Sequence, residues 1–360
     1  MISERRVPAL DGVRGLAILA VFVYHATNWG GGAIARWGSW GWMGVDLFFV
    51  LSGYLITGIL LDTRQRHDYY SVFYVKRALR ILPAFVAFML VLAFLAPMRP
   101  TEHQLFVGHQ GWYWGYAANV LLARQGWSAL PFETGHLWSL AVEEQFYFVW
   151  PFVIARCTRP RFAFRVALGV IVCVGVLRAL AVMRHADALP IYVLPMFRAD
   201  ALAWGALLAA LERRRSNTIS VAQLRPMLLV LGGLVLAVVI ARLRDANNPS
   251  PSMQLLGYPA LAAFGAGLVA TAITSAPRWL AWRPLRLIGR YSYGFYLWHA
   301  PVLLVATRVW AHAPWLAFAL AGFVATMAIT LASWTLIERP ALSLKHIVDR
   351  HQVPEGASLT

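Results

Sequence analysis

A histidine and two adjacent glutamates stand inside an oily, aromatic segment, HLWSLAVEEQFYFVWP at 136–151. If the segment is a helix, His136, Glu143 and Tyr147 share one stripe, whereas Glu144 points away from it toward another helix. Ionisable groups inside an apolar helix are costly and usually face a cavity or a partner. Imidazoles and carboxylates are also the common groups for proton transfer. The segment therefore predicts a polar site in an apolar environment.

A second set of ionisable residues lies on the first apolar segment of the chain. Arg14 and His25 are separated by three helical turns nearly in phase, and Asp11 lies on the same face. At the helical rise per residue, Arg14 and His25 are about 16 Å apart along the axis. A long thin substrate could therefore run between them.

A third set lies in YSVFYVKRALRILP at 70–83, where Lys76 and Arg77 are followed one turn later by Arg80. Two arginines one turn apart suit a bidentate grip on a phosphate group. The alternative is the ordinary positive charge found at the cytoplasmic end of a membrane span. These residues taken alone favour the alternative.

The composition indicates which elements must position these residues. Of the 360 residues, 59% are hydrophobic and 13% are charged, about half the charged share of a soluble domain. Apolar stretches of roughly the length that crosses a bilayer recur along the chain. We therefore predict an all-α, polytopic integral membrane protein. Its ten spans are predicted near 9–28, 43–61, 81–97, 137–156, 164–183, 191–211, 226–241, 256–275, 292–311 and 315–337.

The basic residues predict the orientation of these spans. With ten spans and a cytoplasmic N-terminus, most arginines and lysines fall in cytoplasmic segments, and both termini are cytoplasmic. An eleventh span at 105–123 would move the majority outside, so we expect 98–136 to be an outer loop rich in Trp and Tyr. The formal charge of +16 then reflects orientation in the membrane, not nucleic-acid binding.

The same topology predicts the depth of the ionisable residues. His25, Asp46, His136, Glu143 and Glu144 fall in the outer half of the membrane. We therefore expect these side chains to line a polar cavity that is reached from outside. The two cysteines have no metal-ligand spacing, so no zinc site is predicted.

Six motifs occur in the order that is typical of one family. They are PALDGVRGLAILAVFVYH at 8–25, GWMGVDLFFVLSGYLI at 41–56, FYVKRALRILP at 73–83, HLWSLAVEEQFYFVWP at 136–151, YSYGFYLWHAPV at 291–302 and ERP at 338–340. Over nearly its whole length the chain resembles the acyltransferase 3 family of integral membrane acyltransferases. The resemblance implies transfer of an acyl group, usually acetyl, from cytoplasmic acyl-CoA to an acceptor at the outer face. Acceptors are often sugar hydroxyls of surface polysaccharide, lipopolysaccharide or peptidoglycan.

The resemblance also implies roles for the residues in the motifs. Lys76, Arg77 and Arg80 would hold the phosphates of CoA at the cytoplasmic mouth. Arg14 would neutralise the pyrophosphate or polarise the pantetheine arm inside the channel. His25 would be the general base that takes the proton from the acceptor hydroxyl, because an imidazole has a pKa near working pH. The residues leave two alternatives: direct transfer to the acceptor, or transfer through an acetyl-histidine intermediate.

For the residues around the base, the sequence predicts several alternative roles. Glu143 is expected to orient His25 and stabilise its charged form, with Asp46 and His136 as second candidates for that role. His299 is expected either to cap a carbonyl or to help line the channel. Further candidates for the site are Asp11 and Tyr147.

Two other polar pairs within the spans have simpler interpretations. Arg198 and Asp200, two residues apart in the sixth span, are interpreted as a channel-lining or structural pair. Ser52 and Gly53 are expected to permit close helix packing.

We expect one acyltransferase 3-like membrane domain at 1–340 and a short cytoplasmic tail at 341–360, without the C-terminal hydrolase-like domain of some family members. Acetyl-CoA is the expected donor, no metal is expected, and a bacterial inner membrane is the expected location.

The alternative function is a proton-coupled transporter in which Glu143, His25 and Asp46 form a proton relay. Only the enzyme needs Arg77 and Arg80 to bind a nucleotide.

Overall fold

The structure, a computed structural model, describes residues 7–27, 35, 37–214, 220–242, 250–310 and 312–345. These residues are helical almost throughout and include no strand. The predicted all-α architecture is therefore confirmed. Most of the predicted tail, from 346 onward, lies outside the described residues.

Ten long helices make up most of the described chain, and each coincides with one predicted span. They are α1 (Pro8–Thr27), α2 (Gly44–Thr63), α3 (Tyr69–Leu95), α7 (Leu137–Ala155), α8 (Pro160–Met183), α10 (Pro195–Glu212), α11 (Val221–Arg242), α12 (Tyr258–Thr274), α14 (Ser292–Val309) and α15 (Trp315–Ser333). The shorter helices are α4 (Pro100–Gly108), α5 (Gln110–Trp114), α6 (Ala118–Gln125), α9 (Ala188–Val193), α13 (Arg283–Arg290) and α16 (Arg339–Ser343). Single 3-10 or π turns lie at Ser39–Met43, Ala96–Met98, Trp127–Ala129, Thr134–His136, Met253–Gly257 and Trp334–Glu338.

Eight helical segments of the described chain are long and apolar enough to cross a membrane. They contain α1, α2, α3, α8, α10, α11, α12 and α15. The other two predicted spans, α7 and α14, are helices of 19 and 18 residues that carry charged, histidine and aromatic side chains. That α7 and α14 also cross the membrane stays a prediction.

The loop predicted at 98–136 folds into short pieces. Its longest helix, α4, has nine residues, which at the helical rise is about 14 Å. The hydrocarbon core of a bilayer is about 30 Å thick. The doubtful segment at 105–123 therefore does not cross as a single helix, in agreement with the ten-span prediction.

Helix α3 corrects one predicted boundary. The span was predicted to begin at 81, but the helix already begins at Tyr69, about three turns earlier. Lys76, Arg77 and Arg80 therefore lie in the part of this helix that precedes the predicted span. The prediction followed the start of the apolar run, and polar residues do not themselves end a helix. Pro83, inside the helix, removes one backbone donor without terminating it.

Small residues allow α2 and α10 to approach closely. A side chain at Gly53 would collide with the backbone carbonyl of Leu202, and one at Gly205 with the carbonyl of Val50. Close approach through small residues is the usual way in which membrane helices pack. The packing role predicted for Gly53 is confirmed.

Helix α1 is surrounded by other helices. It packs against α2, α12, α13, α14 and α15. Arg14 and His25 are therefore both held inside the bundle, near opposite ends of one helix.

Candidate active site

The ionisable residues within the bundle separate into three groups. The arginine cluster consists of Arg14, Arg77, Arg80, Glu143, Glu144 and Tyr147. The histidine cluster consists of His25, His136 and His299. The closed pairs are Arg198–Asp46 and Arg178–Asp200.

Arg77 is the centre of the arginine cluster. Its guanidinium carbon lies 3.8 Å from the centroid of the Tyr147 ring, which is a cation–π contact. Its Nη2 lies 3.8 Å from Oε1 of Glu144, an ion pair too long for a hydrogen bond. Its buried Nε makes no hydrogen bond with the described residues. Arg77 is thus held in position while part of its donor capacity remains unused.

Arg14 and Arg80 lie within electrostatic range of Arg77 and of each other. Arg14 pairs with Asp11 at 3.6 Å, and its side chain is still 32% exposed. Arg80 has the nearly buried Glu338 as a neighbouring counter-charge. Three guanidinium groups brought together repel one another, so their grouping favours a multiply charged anion between them.

Glu143 lies in the arginine cluster, and not, as predicted, in one cavity with His25 and His136. Its Oε1 accepts a hydrogen bond from Ser52 at 2.9 Å, and its Oε2 accepts one from Tyr147 at 3.1 Å. It also lies within electrostatic range of Arg77 and Arg14. Ser52, predicted to serve packing, is therefore a hydrogen-bond donor to this carboxylate.

His25 is held by partners other than the predicted one. Its Nδ1 lies 2.9 Å from the carbonyl oxygen of Val21 and 3.3 Å from Nε2 of His299. Glu143 was expected to orient His25, but its two oxygens are engaged by hydroxyl groups in the arginine cluster. The predicted contact between Glu143 and His25 is therefore wrong. The side chain that contacts His25 is that of His299.

The three imidazoles of the histidine cluster come from separate elements. His25 lies on α1, His136 on the turn before α7, and His299 on α14. The ring centroids of His25 and His136 lie 4.7 Å and 5.0 Å from that of His299, and 6.4 Å from each other. Within the described residues, no group of three or more His, Cys, Asp or Glu is arranged to hold a metal ion.

His136 is fixed by backbone and hydroxyl contacts. Its Nδ1 lies 3.1 Å from the carbonyl oxygen of Glu133, and its buried Nε2 has no hydrogen-bond partner among the described residues. The Tyr296 hydroxyl donates to the His136 carbonyl at 2.8 Å and lies 2.5 Å from the Ser139 hydroxyl. Burial raises the pKa of the Glu133 carboxyl in the segment between α3 and α7, and the charge of Glu102 raises it further. Neither Ser139 nor Tyr296 was predicted as a site residue, although both stand in the quoted motifs.

The closed pairs contain two residues that sequence reasoning interpreted differently. Arg198 and Asp200 do not pair with each other: Arg198 donates to Asp46 at 2.6 Å, and Arg178 donates to Asp200 at 2.6 Å. Residues two apart on a helix point in different directions, which explains why each finds a partner on another helix. Asp46, a second candidate for orienting His25, is engaged by Arg198 instead.

A family comparison identifies the architecture that carries these groups. A family model described as an acyltransferase domain matches residues 7–335. The chain belongs to the acyltransferase 3 family. The resemblance found from the six motifs is thereby confirmed. No solved structure matches this chain.

Several curated relatives share this acyltransferase 3 region. The chain is 29% identical to the peptidoglycan O-acetyltransferase OatA of Listeria monocytogenes, over 94% of this chain and 56% of the relative. It is 30% identical to the putative peptidoglycan O-acetyltransferase YrhL of Bacillus subtilis, over 85% of this chain and 50% of the relative. It is also 30% identical to the O-acetyltransferase OatA of Staphylococcus aureus, over 84% of this chain and 52% of the relative. The chain thus spans about half the length of the curated relatives it matches.

The acyltransferase 3 motifs meet in two places within the described bundle. The motifs that contain Arg14, Arg77 and Glu143 supply the arginine cluster, and those that contain His25 and His299 supply the histidine cluster. Lys76, half-buried on α3, is next to Arg77. Chemically, the first cluster suits phosphate binding, and the second suits proton transfer.

Proposed function

We propose that this acyltransferase 3 protein is a membrane O-acetyltransferase. It moves an acetyl group from acetyl-CoA, bound from the cytoplasm, to a hydroxyl group of a glycan on the outer side. The family assignment and the names of the relatives support an O-acetyltransferase. The observation that carries the proposal is the unbroken helix α1, which joins the arginine cluster at Arg14 to the histidine cluster at His25.

The donor would enter at the arginine cluster. Arg77, Arg80 and Lys76 would hold the phosphates of CoA, and Arg14 would neutralise the pyrophosphate or the start of the pantetheine arm. The side chains of Arg77 and Arg14 are 25% and 32% exposed, so the described residues do not enclose either of them. Charge-assisted hydrogen bonds to phosphate are among the strongest that a protein offers.

The length of the donor supports transfer near His25. Arg14 and His25 are about 16 Å apart at the helical rise per residue, a distance of the order of a pantetheine arm. With the phosphates held near Arg14, the thioester would reach the histidine cluster.

The chemical step then needs one base. His25 takes the proton from the acceptor hydroxyl as the hydroxyl oxygen attacks the thioester carbonyl carbon. The resulting tetrahedral intermediate collapses, the carbon–sulfur bond breaks, and the CoA thiolate takes the proton back from the His25 imidazolium. The products are the acetyl ester and free CoA.

Glu143, Tyr147 and Asp46 would act at a distance from the reacting atoms. Glu143 and Tyr147 hold Arg77 and shape the donor site, and Asp11 does the same for Arg14. Asp46 would hold α2 against α10 through Arg198 and keep the bundle in place.

The acceptor is proposed from the relatives, two of which are named as peptidoglycan O-acetyltransferases. We propose a sugar hydroxyl of a cell-surface glycan, with peptidoglycan first and surface polysaccharide or lipopolysaccharide next. The relatives named above are bacterial, which supports a multi-pass protein of the bacterial plasma membrane. We place the catalytic domain at 1–340 and the tail at 341–360.

Acetyl transfer by the purified protein tests the proposal. With labelled acetyl-CoA and a peptidoglycan fragment, wild-type protein should transfer the label, and His25→Ala should lower kcat on the order of 10²- to 10⁴-fold. The melting temperature of the variant should match that of wild type. His109→Phe, which removes a histidine in the outer loop, is the matched control and should transfer normally.

If His25→Ala still transferred acetyl groups, His25 would not be the general base. A wild-type protein that neither binds nor uses acetyl-CoA would instead favour the proton-coupled transporter, because a proton relay through Glu143 and His25 needs no nucleotide site.

A further inference from the structure

We infer that His299 is a positioning residue that, together with the Val21 carbonyl, holds His25 in the tautomer protonated at Nδ1, so that Nε2 of His25 takes the proton from the acceptor. The inference rests on the proposed function for its catalytic meaning. The geometry of the histidine cluster carries the tautomer assignment on its own.

The carbonyl of Val21 is one of two acceptors that favour a proton on Nδ1 of His25. A carbonyl oxygen can only accept a hydrogen bond, so the ring nitrogen 2.9 Å from it must carry the proton. That nitrogen is Nδ1 of His25. In a neutral imidazole the other nitrogen, Nε2, then has the free lone pair.

The carbonyl of Tyr296 determines the proton position on His299 in the same way. Nδ1 of His299 lies 2.7 Å from that carbonyl oxygen and must be the donor. Neutral His299 therefore presents the lone pair of Nε2. This nitrogen faces Nδ1 of His25 at 3.3 Å, so the proton on His25 is shared between the Val21 carbonyl and His299.

The opposite tautomers do not fit the contacts. If His25 were protonated at Nε2, its Nδ1 lone pair would face the Val21 carbonyl oxygen at 2.9 Å, and two acceptors would repel each other. If His299 carried a second proton on Nε2, two N–H groups would point at each other across 3.3 Å.

Burial makes His299 suited to this task. Its side chain is fully buried, and its ring is nearly parallel to that of Phe295, at an interplanar angle of 11°. A packed ring with its Nδ1 bonded to a carbonyl has little freedom to flip. His136 lies in the same cluster, but its described hydrogen bond goes to Glu133 and not to His25.

The arrangement has a consequence for the chemical step. When Nε2 of His25 takes the hydroxyl proton, the ring becomes an imidazolium that still donates through Nδ1. The neutral lone pair of His299 then accepts a charge-assisted bond, which is stronger than the bond to the neutral ring. His299 would thus stabilise His25 more in the transition state than in the ground state.

Histidine-selective ¹⁵N NMR of the full chain in lipid nanodiscs tests the assignment, with the signals of His25 identified by their loss in His25→Ala. We expect a protonated Nδ1 and an unprotonated Nε2 in the wild-type protein. His299→Phe should raise the fraction of His25 protonated at Nε2, although the Val21 carbonyl still favours Nδ1, and should lower kcat on the order of 10- to 100-fold, with KM for acetyl-CoA changed less than about twofold. His299→Gln, whose side-chain carbonyl can accept the same bond, should recover both the tautomer and part of kcat.

Two results would overturn the inference: a His25 protonated at Nε2 in the wild-type protein, or an unchanged tautomer in His299→Phe. If His299→Phe does not fold, the wild-type spectrum and His299→Gln still decide. His109→Phe removes a histidine whose Nδ1 is also bonded to a carbonyl, at 3.0 Å, and should leave the His25 signals and kcat unchanged.

The spectrum separates this inference from the proposed function. If His25 were protonated at Nε2 in a protein that transfers acetyl groups, the inference would be refuted but the proposed function would not. A wild-type protein without transfer would refute the proposed function, and with it the catalytic role of His299.

Discussion

The closed pairs and the arginine cluster are both groups of arginines and carboxylates within the bundle, but they differ in how closely the opposite charges approach and in how far the side chains are exposed. In the closed pairs, Arg198 reaches Asp46 at 2.6 Å and both side chains are 1% exposed. In the arginine cluster, Arg77 reaches Glu144 only at 3.8 Å, and the two side chains are 25% and 17% exposed.

This difference separates a structural role from a binding role. A short, fully buried pair has its charges compensated by the protein itself, and removing one partner leaves a buried charge without compensation. In a long, partly exposed pair the carboxylate compensates the arginine charge less strongly, so the arginine can bind another anion. We therefore expect substitutions in the closed pairs to affect folding and substitutions in the arginine cluster to affect donor binding.

The largest effect on stability is expected in the closed pairs. Arg198→Ala leaves the Asp46 carboxylate buried and unpaired, so it should lower the free energy of unfolding by about 3–5 kcal/mol. Thermal unfolding in detergent would measure this loss. The double variant Asp46→Leu/Arg198→Leu removes both charges and should recover most of it. If Arg198→Ala unfolded like the wild type, the closed pairs would not have the structural role that distinguishes them from the arginine cluster.

The next effect is expected on donor binding. Arg77→Ala/Arg80→Ala removes two phosphate-binding groups and should weaken equilibrium binding of labelled acetyl-CoA by roughly 10- to 100-fold. Its thermal stability should stay near that of wild type, because these side chains are only partly buried.

The matched control for the donor site is Arg161→Ala/Arg165→Ala. It removes two exposed arginines one turn apart on α8, so it changes the net charge equally without touching the cluster. Equal losses of binding in the two double variants would mean that general charge, and not the arginine cluster, attracts the donor.

The smallest effect is expected at a pair with good geometry but high exposure. Arg213 donates two hydrogen bonds of 2.7 Å to Asp62, and the side chains are 26% and 43% exposed. Water screens such a pair, so Arg213→Ala should lower the free energy of unfolding by less than about 1 kcal/mol. A loss as large as that of Arg198→Ala would show that burial is not what distinguishes the closed pairs.

The sequence predicted the helices well because long apolar runs have few alternatives in a membrane. It placed the start of the third span at the apolar run, near 81, although the helix that carries this span begins at Tyr69. The phase of Arg14 and His25 could be predicted because both lie on one helix, whose geometry is fixed.

Contacts between helices could not be predicted in the same way. The stripe on α7 correctly grouped Glu143 with Tyr147. Whether Glu143 contacts His25 depends on the rotation of α7 relative to α1. The residue pattern of one helix does not predict this rotation. The pairing of Arg198 with Asp200 could have been excluded from spacing alone, since residues two apart do not share a face. The partner of Arg198, on α2, needed the structure.

Transfer across the membrane tests the central claim most directly. Wild-type protein and His25→Ala would be reconstituted in sealed vesicles with a peptidoglycan fragment trapped inside, and labelled acetyl-CoA would be added outside. We expect the wild type to place label on the trapped glycan while the vesicles stay sealed, and His25→Ala to place none. Label found only on glycan added on the same side as acetyl-CoA would contradict a donor site and an acceptor site at opposite ends of α1.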